Sequence, residues 1–257
     1  MAAIKADALF LIPVKWDSKR LPNKNELRIG GMPLFCHAVR AATIAKISLH
    51  KHKVCNDIRI IVSVSDIKKG QAICFGVELF LDVDGWLERP DYLNHDPYQL
   101  ADVAIYVLEQ LEHTEFKSLV MIQPSNPFIT GEDIEKCYKL HKEKDFSAVR
   151  TITPSLHPMH KEFVLVESEK LTSHFFYNLN AVNERSFPQT YHSNGGVQVI
   201  TVEELREYKG LYGNPTYGYI MPQERSIDIN TETDFIIAKA LMEHQLKKKQ
   251  NQIKEVQ

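Results

Sequence analysis

Apolar positions along the chain change period repeatedly. Residues 8–14, 57–66, 76–82, 117–123 and 147–153 are short runs rich in Val, Ile, Leu and Phe that read as buried strands. Between them, residues 33–48 place Leu34, Phe35, Ala38, Val39, Ala42 and Ile44 at helical spacing, with Pro33 tolerated in the first turn. Residues 101–113, 131–144 and 238–249 repeat that helical pattern. Strands alternating with helices predict an α/β fold with a mostly parallel sheet. The alternation weakens over 154–191, which reads as an excursion from the sheet, and 247–257 reads as a frayed tail. No repeat or linker divides the chain, so residues 1–257 are expected to form one domain.

The first strand runs directly into a loop, residues 15–25, that holds Lys15, Lys19, Arg20 and Lys24 with Ser18, Asn23 and Asn25 between them. Ligands of open α/β sheets bind at such strand ends. Ammonium groups supply charge there and amide or hydroxyl groups supply directed hydrogen bonds, a combination that suits a polyanion; a solvated basic loop is the plain alternative. Neither G-x-x-x-x-G-K-[ST] nor G-x-G-x-x-G is present, which weakens ATPase and dehydrogenase readings. A net charge of −2 over 257 residues, with 44% hydrophobic and 25% charged residues, gives no global pull toward nucleic acid or a membrane surface. Any anion site is therefore local. Cys36, Cys55, Cys74 and Cys137 show no metal or disulfide spacing and read as reduced thiols. The N-terminal apolar run is short for a signal peptide and no stretch reaches membrane-span length, so a cytoplasmic location is expected. His50 and His52 read as solvated, and His157 and His160 as surface or interface residues.

Residues 12–25, IPVKWDSKRLPNKN, followed by Gly30-Gly31-Met32-Pro33-Leu34, resemble the signature of the acylneuraminate cytidylyltransferases, the CMP-sialic acid synthetases and their relatives. Three later segments resemble that family in the same order. They are Arg89-Pro90 with Leu93 and Asp96, Gln123-Pro124-Ser125-Asn126-Pro127-Phe128, and Tyr191 to Val197 with Asn194-Gly195; the closing Ser226 to Phe235 matches the family's D-I-D-T-x-x-D-F at Asp228. The chain departs from the pattern at Lys15, Trp16-Asp17, Gln99, His192, Gln198 and Asn230. The resemblance implies a single three-layer Rossmann-like nucleotidyltransferase domain, with 154–191 as a dimerisation and acceptor arm of a homodimer.

It further implies transfer of CMP from CTP to a hydroxyl of an acidic, sialic-type sugar with release of pyrophosphate. Lys15, Lys19 and Lys24 would meet the triphosphate, and Ser18 its backbone cradle. Asn25 and Arg89 would hold the nucleoside. Gln123, Ser125, Asn194 and Arg185 would line the acceptor side, although the Pro-x-x-Pro turn around Ser125 also reads as a plain rigid turn. Asp228 with Asn230 would hold Mg²⁺ or Mn²⁺, while Asp, Asn and Thr there also suit a helix cap. Two alternatives stand beside this reading. One is a related transferase using another acid or nucleotide; the other is a catalytically silent nucleotide- or sugar-binding protein.

Overall fold

The computed structural model describes residues 4–75, 82–156, 162–165, 171–173 and 188–256. Its centre is a seven-stranded sheet in the order β11-β7-β10-β6-β1-β4-β5. These strands are β1 (Ile4–Pro13), β4 (Ile58–Val64), β5 (Gly85–Glu88), β6 (Thr114–Ile122), β7 (Ala148–Pro154), β10 (Tyr191–Thr201) and β11 (Thr216–Ile220). β1 pairs in parallel with both β4 and β6, β4 with β5, and β7 with β11. Only β10 runs antiparallel, between β6 and β7. Two minor ribbons, β2 (Arg28–Ile29) with β3 (Met32–Pro33) and β8 (Phe163–Leu165) with β9 (Leu171–Ser173), lie outside this sheet.

Central strands are apolar on both faces, as helices on both sides of a parallel sheet require. In β1, Phe10 and Ile12 belong to one core cluster while Leu9 and Leu11 belong to the other. The first cluster includes α1 (Leu34–Lys51), α2 (Ile67–Phe75) and α4 (Gly131–Glu143); the second includes α3 (Leu100–Gln110) and α5 (Val202–Tyr208). Three layers result. α1 and α4 approach so closely that a Cβ at Gly131 would lie 2.5 Å from Ile44 Cγ2. The pair is further tied by His52 Nδ1 at 2.8 Å from Glu135 Oε1, and by Ser48 Oγ donating to Oε2 at 2.6 Å. His52 is thus exposed, as its sequence context suggests, and is also an inter-helix partner.

Several sequence expectations shift. β5 and α2 carry no clear sequence periodicity, and the strand expected over 76–82 falls largely outside the described residues. The tail is no frayed coil: α6 (Glu232–Val256) continues through it, because Lys, Gln and Glu are good helix formers. Residues 226–230 are coil after a 3-10 turn, so Asp228 lies in a loop that leads into α6. Among the described residues no helix is long and apolar enough to cross a membrane.

Candidate active site

Parallel strands β1, β4 and β6 end on one side of the sheet, and a cleft of about 380 Å³ opens there. The basic loop leaves β1 at Pro13 and is fastened by two apolar side chains. Trp16 is buried, sits edge-on to Phe35 at 5.6 Å and donates its indole N–H to Asp66 O at 3.3 Å. Leu21 packs into a third cluster with Ile29, Leu34, Phe128, Ile229 and Ala238. Residues between and beside these anchors line the cleft: Lys15, Ser18, Lys19, Arg20, Lys24 and Asn25, together with Asn94, Asp96, Gln123 and Ser125. Trp16, one of the departures from the resembling pattern, is therefore a core anchor.

Each cation has a defined partner. Lys15 Nζ donates to Asn94 O. Lys19 reaches Asp96 at 3.8 Å with both side chains exposed, a pair of little energetic weight. Lys24 Nζ donates to Ile229 O at 2.8 Å; burial pushes this ammonium down, countered by the nearby Asp228 charge. Arg20 donates to Asn230 Oδ1 at 2.8 Å, and Asn230 Nδ2 donates to Asp228 Oδ2 at 2.7 Å. Asn25 Nδ2 donates to Lys15 O at 2.7 Å and fixes the loop's own curvature. Two of the four cations thus donate to backbone oxygens, one to an amide oxygen, and one forms a loose exposed ion pair, an arrangement in which the phosphates of a ligand can replace weak partners with charge-assisted bonds.

Some expected residues sit elsewhere. Arg89 is buried and outside the cleft lining. It donates from Nε to Asn94 Oδ1, from Nη1 to Ser63 O and from Nη2 to Val14 O, at 2.8, 2.7 and 2.9 Å. Burial lowers its pKa to about 10, so it stays cationic at neutral pH and ties β1, β4 and the 91–94 turn together beneath the cleft. Asn194 is also buried: Oδ1 accepts from Thr151 Oγ1 at 2.6 Å and Nδ2 donates to Ser226 Oγ at 2.9 Å. It locks the β10 bulge and does not line the cleft. Gln99 lies at the start of α3 with its backbone N–H on Asp102 Oδ2, outside the cleft. Arg185 lies outside the described residues.

Capping of α6 falls to Thr231 and Asp234, which exchange bonds from Thr231 N to Asp234 Oδ2 and from Asp234 N to Thr231 Oγ1. Asp228 and Asn230 take no part as side chains. Asp228 Oδ1 is instead a buried oxygen with no hydrogen-bond partner, close against Gly195, whose φ is +63° and where a Cβ would lie 3.0 Å from Asp228 Cγ. An unpartnered buried carboxylate oxygen beside a phosphate-suited cleft fits a divalent cation, since Mg²⁺ characteristically takes one or two carboxylates and completes its shell with substrate phosphates and water. Asn230 turns its amide nitrogen to Asp228, so it offers an oxygen there only if the amide reverses and releases Arg20. No group of three or more His, Cys, Asp or Glu side chains among the described residues is arranged to hold a metal alone.

Asn94 and the Asp133–Arg225 pair were not singled out by the sequence. Arg225 meets Asp133 through two bonds of 2.6 and 3.0 Å, fastening the Asp228 segment to the start of α4. Both are single charged or polar residues whose role depends on a contact distant in sequence, with no local signal.

A phosphate-suited cleft at the carboxyl end of a three-layer α/β sheet is where open α/β folds bind nucleotides and other ligands. Residues 9–72 match the family model described as Cytidylyltransferase. The chain is 27% identical to the CMP-N,N'-diacetyllegionaminic acid synthase of Legionella pneumophila, over 91% of this chain and 96% of that one. It is 25% identical to the N-acylneuraminate cytidylyltransferase of Escherichia coli over 91% of its own length, but spans only 52% of that larger protein. The solved CMP:2-keto-3-deoxy-manno-octonic acid synthetase complexed with CTP shares the fold, with a TM-score of 0.64 at 18% identity over 93% of this chain and all of that one. The resemblance to the acylneuraminate cytidylyltransferases holds along nine-tenths of the chain.

Proposed function

We propose that this protein is a CTP-dependent cytidylyltransferase that transfers CMP to a hydroxyl of an acidic sugar of the sialic or legionaminic type and releases pyrophosphate. The observation that carries the reading is the set of four cations gathered at the end of β1, with the unpartnered Asp228 Oδ1 beside it. Lys15, Lys19 and Lys24 are assigned to the triphosphate, with Ser18 and its backbone as cradle and Asn25 shaping the loop. Arg89 supports the nucleoside side from behind. Gln123 and Ser125 face the acceptor.

The acceptor hydroxyl gives up its proton to solvent as its oxygen attacks the α-phosphorus, the bond from that phosphorus to the α–β bridging oxygen breaks, and pyrophosphate leaves with the charge. Fixed cations lower the barrier by being in place before that charge develops. Asp228 would hold Mg²⁺, which when bound adds positive charge beside the phosphates. A homodimer and a cytoplasmic setting complete the reading. Supporting them are the β8–β9 ribbon, separate from the main sheet, and four cysteines without disulfides.

A thermal-shift titration with CTP, UTP, ATP and GTP, each with and without Mg²⁺, tests this. CTP at about 100 times its dissociation constant should stabilise by roughly 2.7 kcal/mol, selectively and more so with metal. Selectivity for another nucleotide would move the substrate; no response to any would leave the catalytically silent reading.

A further inference from the structure

Two thiols outside the cleft lie side by side. Cys36, in the first turn of α1, is fully buried, whereas Cys74, near the end of α2, is partly exposed. Their Sγ atoms are 3.9 Å apart although 38 residues separate them in sequence. The hydrogen bond between them, and then burial, pushes Cys36 up, and the same bond pulls Cys74 down. The thiol that solvent reaches is therefore also the readier thiolate, and its partner already waits in contact. Cys55 and Cys137 are both buried, and burial raises both.

The geometry points to Cys36 and Cys74 as an oxidisable dithiol whose disulfide couples peroxide exposure to the seat of the basic loop. In the first step the Cys74 thiolate attacks a peroxide oxygen, the O–O bond breaks, water leaves and a sulfenic acid remains. In the second, the Cys36 sulfur attacks that of Cys74, the S–O bond breaks and a second water leaves. Two thiols together give up two protons and two electrons to one hydrogen peroxide, which becomes two waters.

Closure brings the sulfurs from 3.9 Å to about 2 Å, so one helix must shift or side chains must turn. α2, with nine residues against the eighteen of α1, is the element that yields. It carries contacts to Trp16 of the loop and to Trp86 of the neighbouring strand β5. Lys69 pairs with Glu26 at 2.5 Å and lies over the Trp16 ring at 5.3 Å, and Gly70 packs so tightly on Trp86 that a Cβ would come within 2.6 Å of it. Both tryptophans of the chain therefore report on α2.

The experiment treats the full chain with a small excess of hydrogen peroxide, quenches with N-ethylmaleimide, and maps peptides by mass without reduction. The expected result is a link between the Cys36 and Cys74 peptides, loss of two of the four alkylatable thiols, and a change in tryptophan emission, all reversed by dithiothreitol. Cys74→Ser, at the partly exposed position, should show neither link nor emission change; Cys36→Ala should match it if folded by circular dichroism. Four alkylated thiols after treatment would overturn the proposal, as would a link through Cys55, Cys137 or a second chain. An emission change that persists in Cys74→Ser, or a Cys36–Cys74 link that leaves emission unchanged, would overturn the coupling to the loop.

Discussion

Asn230 touches Arg20 with its oxygen and Asp228 with its nitrogen, and thereby holds a cation and an anion apart by one neutral amide. Replacing it by Asp removes the bond to Asp228 and sets two carboxylates side by side. Without metal, Asn230→Asp should lower stability by about 1 kcal/mol or more, from like-charge repulsion in a partly buried place. With metal the same change should tighten Mg²⁺ binding, read as a lower Mg²⁺ midpoint for CTP stabilisation. Asp228→Ala should erase the Mg²⁺ effect and leave metal-free CTP binding within a few-fold; an unchanged Mg²⁺ effect would remove Asp228 as the ligand. His37 makes a separate prediction. Burial lowers its pKa to about 4, while Nε2 holds Ile29 O at 3.0 Å. An unfolded chain takes up this proton near pH 6.5 and the folded chain does not, so stability falls as pH drops through the window from 6.5 to 4. The loss is roughly 3 kcal/mol across that window. His37→Gln, which keeps an amide donor for Ile29 O, should flatten urea-denaturation stability over it; a profile identical to wild type would remove His37 as its cause.

Among elements, the start of α4 carries more than its own helix. Thr130 and Asp133 cap it reciprocally, and Asp133 also receives Arg225 and the Tyr219 hydroxyl. Burial pushes the Asp133 carboxyl up, but its bonds to Arg225 and Thr130 outweigh that and leave it below the usual range. Its contribution is therefore present at neutral pH and lost as pH falls below the ordinary carboxylate range. Arg225→Met leaves Asp133 buried and unpaired, which should cost about 3–5 kcal/mol, whereas the double change with Asp133→Asn should recover part of that loss in chemical denaturation. Gly131→Ala forces a Cβ against Ile44 and should cost about 1–3 kcal/mol by itself. At this scale the sequence was legible wherever local pattern decides structure: α1, α3, α4, β4, β6 and β7 follow from periodicity and caps. β5 was not, because Gly85-Trp86-Leu87-Glu88 has no alternation and is held by its neighbour β4 alone. The cleft cations were legible since they are contiguous in sequence. What the sequence could not show is where donors are already engaged, so Arg89 and Asn194 look like ligand residues until their buried partners are seen.

For the whole molecule, the cations are concentrated at one mouth of a chain whose net charge is only −2. Attraction of a nucleotide is then short-ranged and screened by salt. CTP affinity should weaken steadily between low and physiological ionic strength, while the melting temperature without nucleotide changes little; a salt-independent affinity would argue against the phosphates meeting this loop. The family likeness was readable from five separated segments, which the fold gathers near one end of the sheet. Their convergence is a property of topology and not of any one segment.

Lys24 and Ile229 are 205 residues apart and Arg20 and Asn230 are 210, yet each pair is a direct hydrogen bond. The cleft consequently cannot be complete until residues 229 and 230 have been made. At about 5–20 residues per second, the basic loop waits roughly 10–40 s after its own synthesis before the segment that closes over Leu21 and supplies Asp228 emerges. Through that interval its cations face solvent or any polyanion nearby, and nascent chains halted before residue 226 should adhere to RNA in a salt-sensitive way that finished chains do not.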